Sequence, residues 1–171
     1  MNWEAASALA ACLGDAIVIG ALFVAFFQLK DGRRAMQFDA TRKLIARSLD
    51  PEFYRALQFV FNDLHARLGD RAYAAELAAS YGWNIDAERH PELVVLARLE
   101  EVGTYVKYRL VSEDALLDFL GELVIGSWER LTPVVEIMRG AHRNPNVWEN
   151  AEFLDRTARS WLQRKRVPRV V

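Results

Sequence analysis

Apolar residues fill the chain from Ala5 to Leu29 with little interruption, and beyond that run they recur every three to four positions. The run holds one acid, Asp15, and is followed by Lys30, Arg33 and Arg34; the stretch Ala16 to Phe27 has no polar side chain. A membrane span needs about 20 mostly apolar residues to cross a hydrocarbon core of about 30 Å, so the run is long enough. Trp3 stands at its outer end, where an indole suits the headgroup region. No basic residue precedes the run, whereas a cleaved leader would carry its positive charge there. By the positive-inside rule the N-terminus faces out and the body lies in the cytoplasm, which predicts a single-pass protein of the plasma (inner) membrane. A buried core helix is the competing reading. Asp15 near mid-span costs about 2.5–3.5 kcal/mol, and each Leu, Ile, Val or Phe returns about 0.3–0.6 kcal/mol.

Downstream the spacing is helical throughout, with no apolar–polar alternation long enough for a strand. The first helix is expected to continue from Arg33 to Ser48, softened at Gly32. Asp50-Pro51-Glu52 starts a helix burying Phe53, Leu57, Val60, Phe61, Leu64 and Leu68, with Gly69 ending it. A short helix follows from Arg71 to Tyr81. After a polar loop, Pro91 opens what reads as the longest helix of the domain, with the seam Leu96, Leu99, Gly103, Val106 and Leu110. Ser112 caps the next, with Leu117, Leu120, Val124, Trp128 and Leu131 in its stripe and Pro133 as a kink or restart. The last helix buries Val147, Ala151, Leu154, Ala158 and Trp161. The stripe then stops, so Gln163 onward reads as frayed or disordered. The expected architecture is all-α: a single N-terminal transmembrane helix (residues 1–34), a cytosolic bundle of about six helices (35–163) and a basic disordered tail (164–171).

Charge and chemistry narrow the function without naming it. With 22 basic and 23 acidic residues the chain lacks the basic excess of a nucleic-acid binder. Its one cysteine, Cys12, excludes an internal disulfide and a cysteine-based metal site. There is no Glu-x-x-His pair, no His-Glu-x-x-His, no phosphate loop and no Gly-x-Ser-x-Gly elbow. No cofactor, metal or catalytic residue is therefore expected, and the chain is not read as an enzyme. His90, before Pro91, reads as a helix-start residue. Glu100 and Glu101 point about 100° apart on a helix, so one flanks the seam and pairs with Arg98 or with a neighbouring helix. Glu129 and Arg139 read as interhelix ion-pair residues, and Trp128, Trp148 and Trp161 as core.

The segments Glu100-Glu101-Val102-Gly103, Leu110-Val111, Trp128 to Pro133, Arg139 and Trp148-Glu149-Asn150 resemble an uncharacterised bacterial family, domain of unknown function 4760. The weaker stretch Thr41 to Leu64 fits its first cytosolic helices. The resemblance implies a small all-helical protein, often with one N-terminal span, and implies no reaction. Arg109 stands where a small residue is more usual.

The surfaces of interest then lie on the span and its flank. Ala6, Ala10 and Gly14 recur every four residues and let two helices approach, with Asp15 beside them, so they form a candidate helix interface for a homo-oligomer. Asp15 is either a paired intramembrane acid or a residue near the outer headgroups. Lys30, Arg33 and Arg34 are candidate lipid-headgroup contacts, each attracted to an anionic leaflet by about 1 kcal/mol. A second basic cluster, Arg159 to Arg169, could touch lipid or form a soluble tail. The expected partners are the lipid bilayer, an unidentified protein and a second copy through the span, with no nucleic acid. The primary expectation is a membrane-tethered interaction or signalling module. The alternatives are a membrane-acting effector that oligomerises through its span, and a soluble helical enzyme or ligand-binding protein with a buried first helix.

Overall fold

Helical spacing becomes helix nearly everywhere. The structure, a computed structural model, describes residues 3–47, 50–80 and 86–166; of residues 3–19 and 33 it describes the backbone alone. Among these there are seven helices and no strand: α1 (Trp3–Arg47), α2 (Pro51–Asn62), α3 (Leu64–Arg67), α4 (Arg71–Ala79), α5 (Pro91–Lys107), α6 (Glu113–His142) and α7 (Glu149–Arg166). The chain divides into two compact units, Met1–Asp39 and Ala40–Val171.

The first unit is a stretch of α1 that passes through Gly32 without a break. Every described side chain from Gly20 to Met36 is exposed. Leu22, Phe23, Val24, Phe26, Phe27 and Leu29 are 53–70% exposed, and together with the exposed Ala21 and Ala25 they run round the whole helix. The transmembrane part of the expected architecture does not emerge: among the described residues no helix is long and apolar enough to cross a membrane. Gly20 to Leu29 is about half the length a span needs, and Lys30, Asp31 and Arg34 close it. The rest of the apolar run, including the side chains of Ala6, Ala10, Gly14 and Asp15, lies outside the described residues.

In the second unit α5 packs against α2, α6 and α7, and α6 packs also against α2, α4 and α7. The predicted seams meet there: Leu96, Leu99, Gly103 and Val106 of α5 are buried, as are Leu117, Leu120, Val124, Trp128 and Leu131 of α6 and Ala151, Leu154, Ala158 and Trp161 of α7. The start of this unit is the end of α1, where Thr41 and Leu44 are buried and Thr41 Oγ1 accepts from the Ser112 N–H at 3.1 Å. Asp50, Asp70 and Ser112 cap α2, α4 and α6 through their side chains.

Several expectations change. The helix expected to run from Asp50-Pro51-Glu52 to Gly69 is divided at Asp63 (φ −116°), giving α2 and α3. Leu110 is half exposed and outside α5, because α5 ends in a Schellman turn: Leu110 N–H donates to Tyr105 O, Arg109 N–H donates to Val106 O, and Arg109 takes φ 55°. The longest helix of the bundle is α6, not α5, because Pro133 does not end it. Leu131, Val134 and Val135, almost wholly buried, hold the chain in register on either side of Pro133, and the Thr132 hydroxyl bonds the Trp128 carbonyl at 2.8 Å. Finally, α7 continues through Arg166, past the end of its apolar stripe. Arg164 pairs with Glu113 at 3.2 Å, Lys165 with Asp118, and the Lys165 ammonium stands 4.8 Å from the Trp161 ring centre.

Candidate functional site

The separated segments Glu100 to Gly103 and Trp148 to Asn150 meet in space. Glu100 projects from α5 onto the first turn of α7. One carboxylate oxygen accepts the backbone N–H groups of Asn150 and Ala151 at 3.0 and 2.9 Å, and the other accepts the Asn150 side-chain amide at 2.7 Å. A carboxylate at a helix N-terminus satisfies orphan N–H groups and favours the helix dipole. Gly103, one turn along, makes this approach possible: a Cβ there would lie 2.0 Å from Asn150 O. Lys107, a further turn on, donates to Glu149 and Asn150. Both Glu100 oxygens are thus engaged by α7, and Glu101 takes Arg98 at 2.8 Å and Arg47 at 2.9 Å.

The turn into α7 is held from α6. Arg139 donates to Val147 O at 3.0 Å and pairs with Glu152 at 2.7 Å, while Trp148, at φ 61°, donates its indole N–H toward Met138 Sδ. Glu129 pairs with Arg159 at 3.0 Å, and Arg159 grips the buried Asp155 on its own helix. Burial pushes the Asp155 carboxyl above its ordinary value, against the opposing pull of Arg159. Glu129 and Arg139 therefore each form an interhelix ion pair, with Arg159 and Glu152 rather than with each other. Beside Glu129 lies an open groove of about 410 Å³ between α6 and α7, floored by Ile125 and Leu162 and rimmed by Glu122 and Arg166.

A second polar cluster was not legible in the sequence. Glu92, in the first turn of α5, is wholly buried. It accepts the Tyr73 hydroxyl at 2.7 Å and faces His90 Nδ1 at 2.9 Å, and the Tyr73 and His90 rings stand 4.9 Å apart. His90 Nε2 lies 3.9 Å from Glu76 on α4. Burial, reinforced by the bond and charge of Glu92, raises the Tyr73 hydroxyl far above its ordinary value. His90 is at the helix start as expected, but its ring bonds Glu92 rather than capping α5. Glu92 looked like any first-turn acid; the one local signal was Pro91, which fixes His90 and Glu92 on either side of the first helical position. Among the described residues no group of three or more His, Cys, Asp or Glu could hold a metal ion.

Over residues 16–157 the sequence matches the family described as Domain of unknown function (DUF4760). The chain belongs to this family. No curated protein and no solved structure matches it. The DUF4760 match begins at Ala16, inside the apolar run, so the family's domain takes in the exposed part of α1 as well as the bundle. Within this DUF4760 chain the candidate lipid contacts Lys30 and Arg34 are exposed, and the Arg33 side chain lies outside the described residues. The closing basic cluster is drawn onto α6 through Arg159, Arg164 and Lys165, and Arg169 lies outside the described residues.

Proposed function

We propose that this protein is a membrane-tethered helical module, with α1 as its anchor and the bundle as a protein-interaction or signalling surface at the cytoplasmic face. One observation carries the reading: Leu22, Phe23, Val24, Phe26, Phe27 and Leu29 are exposed on every side of α1, immediately before Lys30 and Arg34. A helix apolar all round requires an apolar surrounding, and the basic flank orients such a helix with its C-terminal side in the cytoplasm. The bundle supports a docking rather than a catalytic role. The acids that drew attention in the sequence, Glu100, Glu101 and Glu129, are engaged in holding helices together.

The test is membrane partition of the full chain against a chain beginning at Met36, which keeps Thr41, Leu44 and Arg47 in the bundle. The full chain is expected in the membrane fraction after a carbonate wash, and the shorter chain in the supernatant with helical circular dichroism. A full chain that stays in solution without detergent refutes the tether.

A further inference from the structure

Helix α4 buries only two side chains, Tyr73 and Leu77, so apolar packing holds it lightly and its polar ties carry weight. Two of the chain's three histidines supply such ties. His142 of α6 bonds Ser80 O at 2.9 Å. The His90 ring stands between carboxylates of α5 and α4: Nδ1 lies 2.9 Å from Glu92 Oε1, and Nε2 lies 3.9 Å from Glu76 Oε2. The two acids differ in setting. Glu92 is wholly buried, whereas Glu76 is half exposed and also faces Arg89 at 3.7 Å. A buried carboxylate is ordinarily paired with a cation. Tyr73 offers Glu92 a neutral hydroxyl at 2.7 Å, so of the two side chains bonded to Glu92 only His90 can become one.

We propose that the buried Glu92–His90 pair is a proton-operated latch on α4. With one proton taken up from solvent, His90 Nε2–H is drawn to Glu76 and fastens α4 to the start of α5; when that proton returns to solvent, the tie is lost. The sign follows from the donors. An ionised carboxylate only accepts, so the hydrogen between Glu92 and a neutral His90 belongs to Nδ1, and a bare Nε2 lone pair then faces the Glu76 carboxylate. A second proton on the pair puts a hydrogen on Nε2, whether the shared one rests on Nδ1 or on Glu92. Repulsion toward Glu76 becomes attraction, and Glu92 gains the cation it lacks. Asp86 and Arg89 flank the latch in the preceding turn, Arg67 of α3 stands 5.7 Å from the Tyr73 ring centre, and His142 of α6 holds the far end of α4. Acid therefore tightens α4 onto the bundle until Glu76 itself takes up a proton. This role does not depend on the membrane reading.

The experiment is amide hydrogen exchange of α4 in the full chain, in neutral detergent, from about pH 5.5 to 8.5, which spans the range where an imidazole ordinarily changes charge. Rates are corrected for the intrinsic pH dependence of exchange. Protection of the Ala74 to Ala79 amides is expected to fall about two- to fivefold as pH rises, the effect of one partly exposed ion pair. The fall should disappear in Glu76→Gln, a change at an exposed position that leaves the helical spectrum intact. Long-range nitrogen spectra of the His90 ring should show Nε2 protonated at the acid end and bare at the alkaline end. Wild-type protection that does not change with pH overturns the latch. So does a fall that survives in Glu76→Gln, which would assign it to His142 or another group, and so does an Nε2 that keeps its hydrogen throughout.

Discussion

Replacing Gly103 with alanine sets two effects of opposite sign against each other. In an open helix position Gly→Ala stabilises by about 1 kcal/mol. At Gly103 the new Cβ would lie 2.0 Å from Asn150 O and 2.5 Å from Asn150 C, both backbone atoms with no rotamer to yield. Contacts of a real Cβ below 3.0 Å are essentially never seen, so the first turn of α7 must retreat by about 1 Å. That movement pulls Asn150 and Ala151 N–H from Glu100, where bonds of 3.0 and 2.9 Å have little slack before the limit of about 3.2 Å. Overpacking typically costs about 1–3 kcal/mol, and a weakened N-cap a further 0.5–2 kcal/mol, roughly. After subtracting the propensity gain, Gly103→Ala should destabilise the bundle by about 0.5–4 kcal/mol, centred near 2. Urea unfolding followed by circular dichroism and tryptophan fluorescence reads this as a midpoint about 1 M lower at unchanged slope. Gly140→Ala is the control: it is exposed with nothing near its Cβ, and should be neutral or stabilising. A Gly103→Ala midpoint at or above wild type would refute the close approach of α5 and α7.

Glu100→Gln keeps the shape of the clamp but turns an amide donor toward a backbone or side-chain N–H, and should lower stability by about 1–2 kcal/mol in the same assay; an unchanged midpoint argues against the carboxylate cap. Arg109→Gly relieves a left-handed residue (φ 55°) and should raise stability by about 1 kcal/mol; a loss instead would mean that the Arg109 side chain contributes more than its backbone costs. Because folding raises the Tyr73 hydroxyl, its contribution is complete below the unfolded value near pH 10 and is lost as pH climbs above it. Above pH 10 stability should fall by up to about 1.4 kcal/mol per pH unit. Urea midpoints measured from pH 9 upward should decline more steeply in wild type than in Tyr73→Phe, and equal slopes would remove the linkage.

The fold was legible because its seams are local. Leu96, Leu99, Gly103 and Val106 share one helix face whatever packs on it, and caps such as Asp50 and Ser112 are written in adjacent residues. Where the reading failed, tertiary contacts decided. Pro133 would break an isolated helix, yet buried neighbours on both sides carry α6 through it. Arg164 and Lys165 have no apolar stripe to hold them, yet Glu113 and Asp118 extend α7 by two charge pairs. The candidate sites were less legible, since Tyr73 with Glu92, and Glu100 with Asn150, are joined only by folding. The unusual Arg109 was visible in the sequence, but its meaning lay in a backbone angle.

The basic residues, which look like one resource in the sequence, divide into two kinds. At the end of α7, Arg159, Arg164 and Lys165 each bring an α6 carboxylate to the same surface, so that face carries little net field. Such exposed pairs contribute only about 0–1 kcal/mol each to stability, but they cancel the charge an anionic leaflet would attract. Lys30 and Arg34 stand exposed with one acid, Asp31, between them. At about 1 kcal/mol apiece their attraction to lipid is too weak to hold a protein on a membrane alone. Removing Leu22, Phe23, Val24, Phe26, Phe27 and Leu29 from water would contribute about 1.5–3 kcal/mol for each side chain, several times more in total. In the tethered reading, then, the apolar run determines whether the chain is held at the bilayer. The flanking cations Lys30, Arg33 and Arg34 determine only which end of the run stays inside.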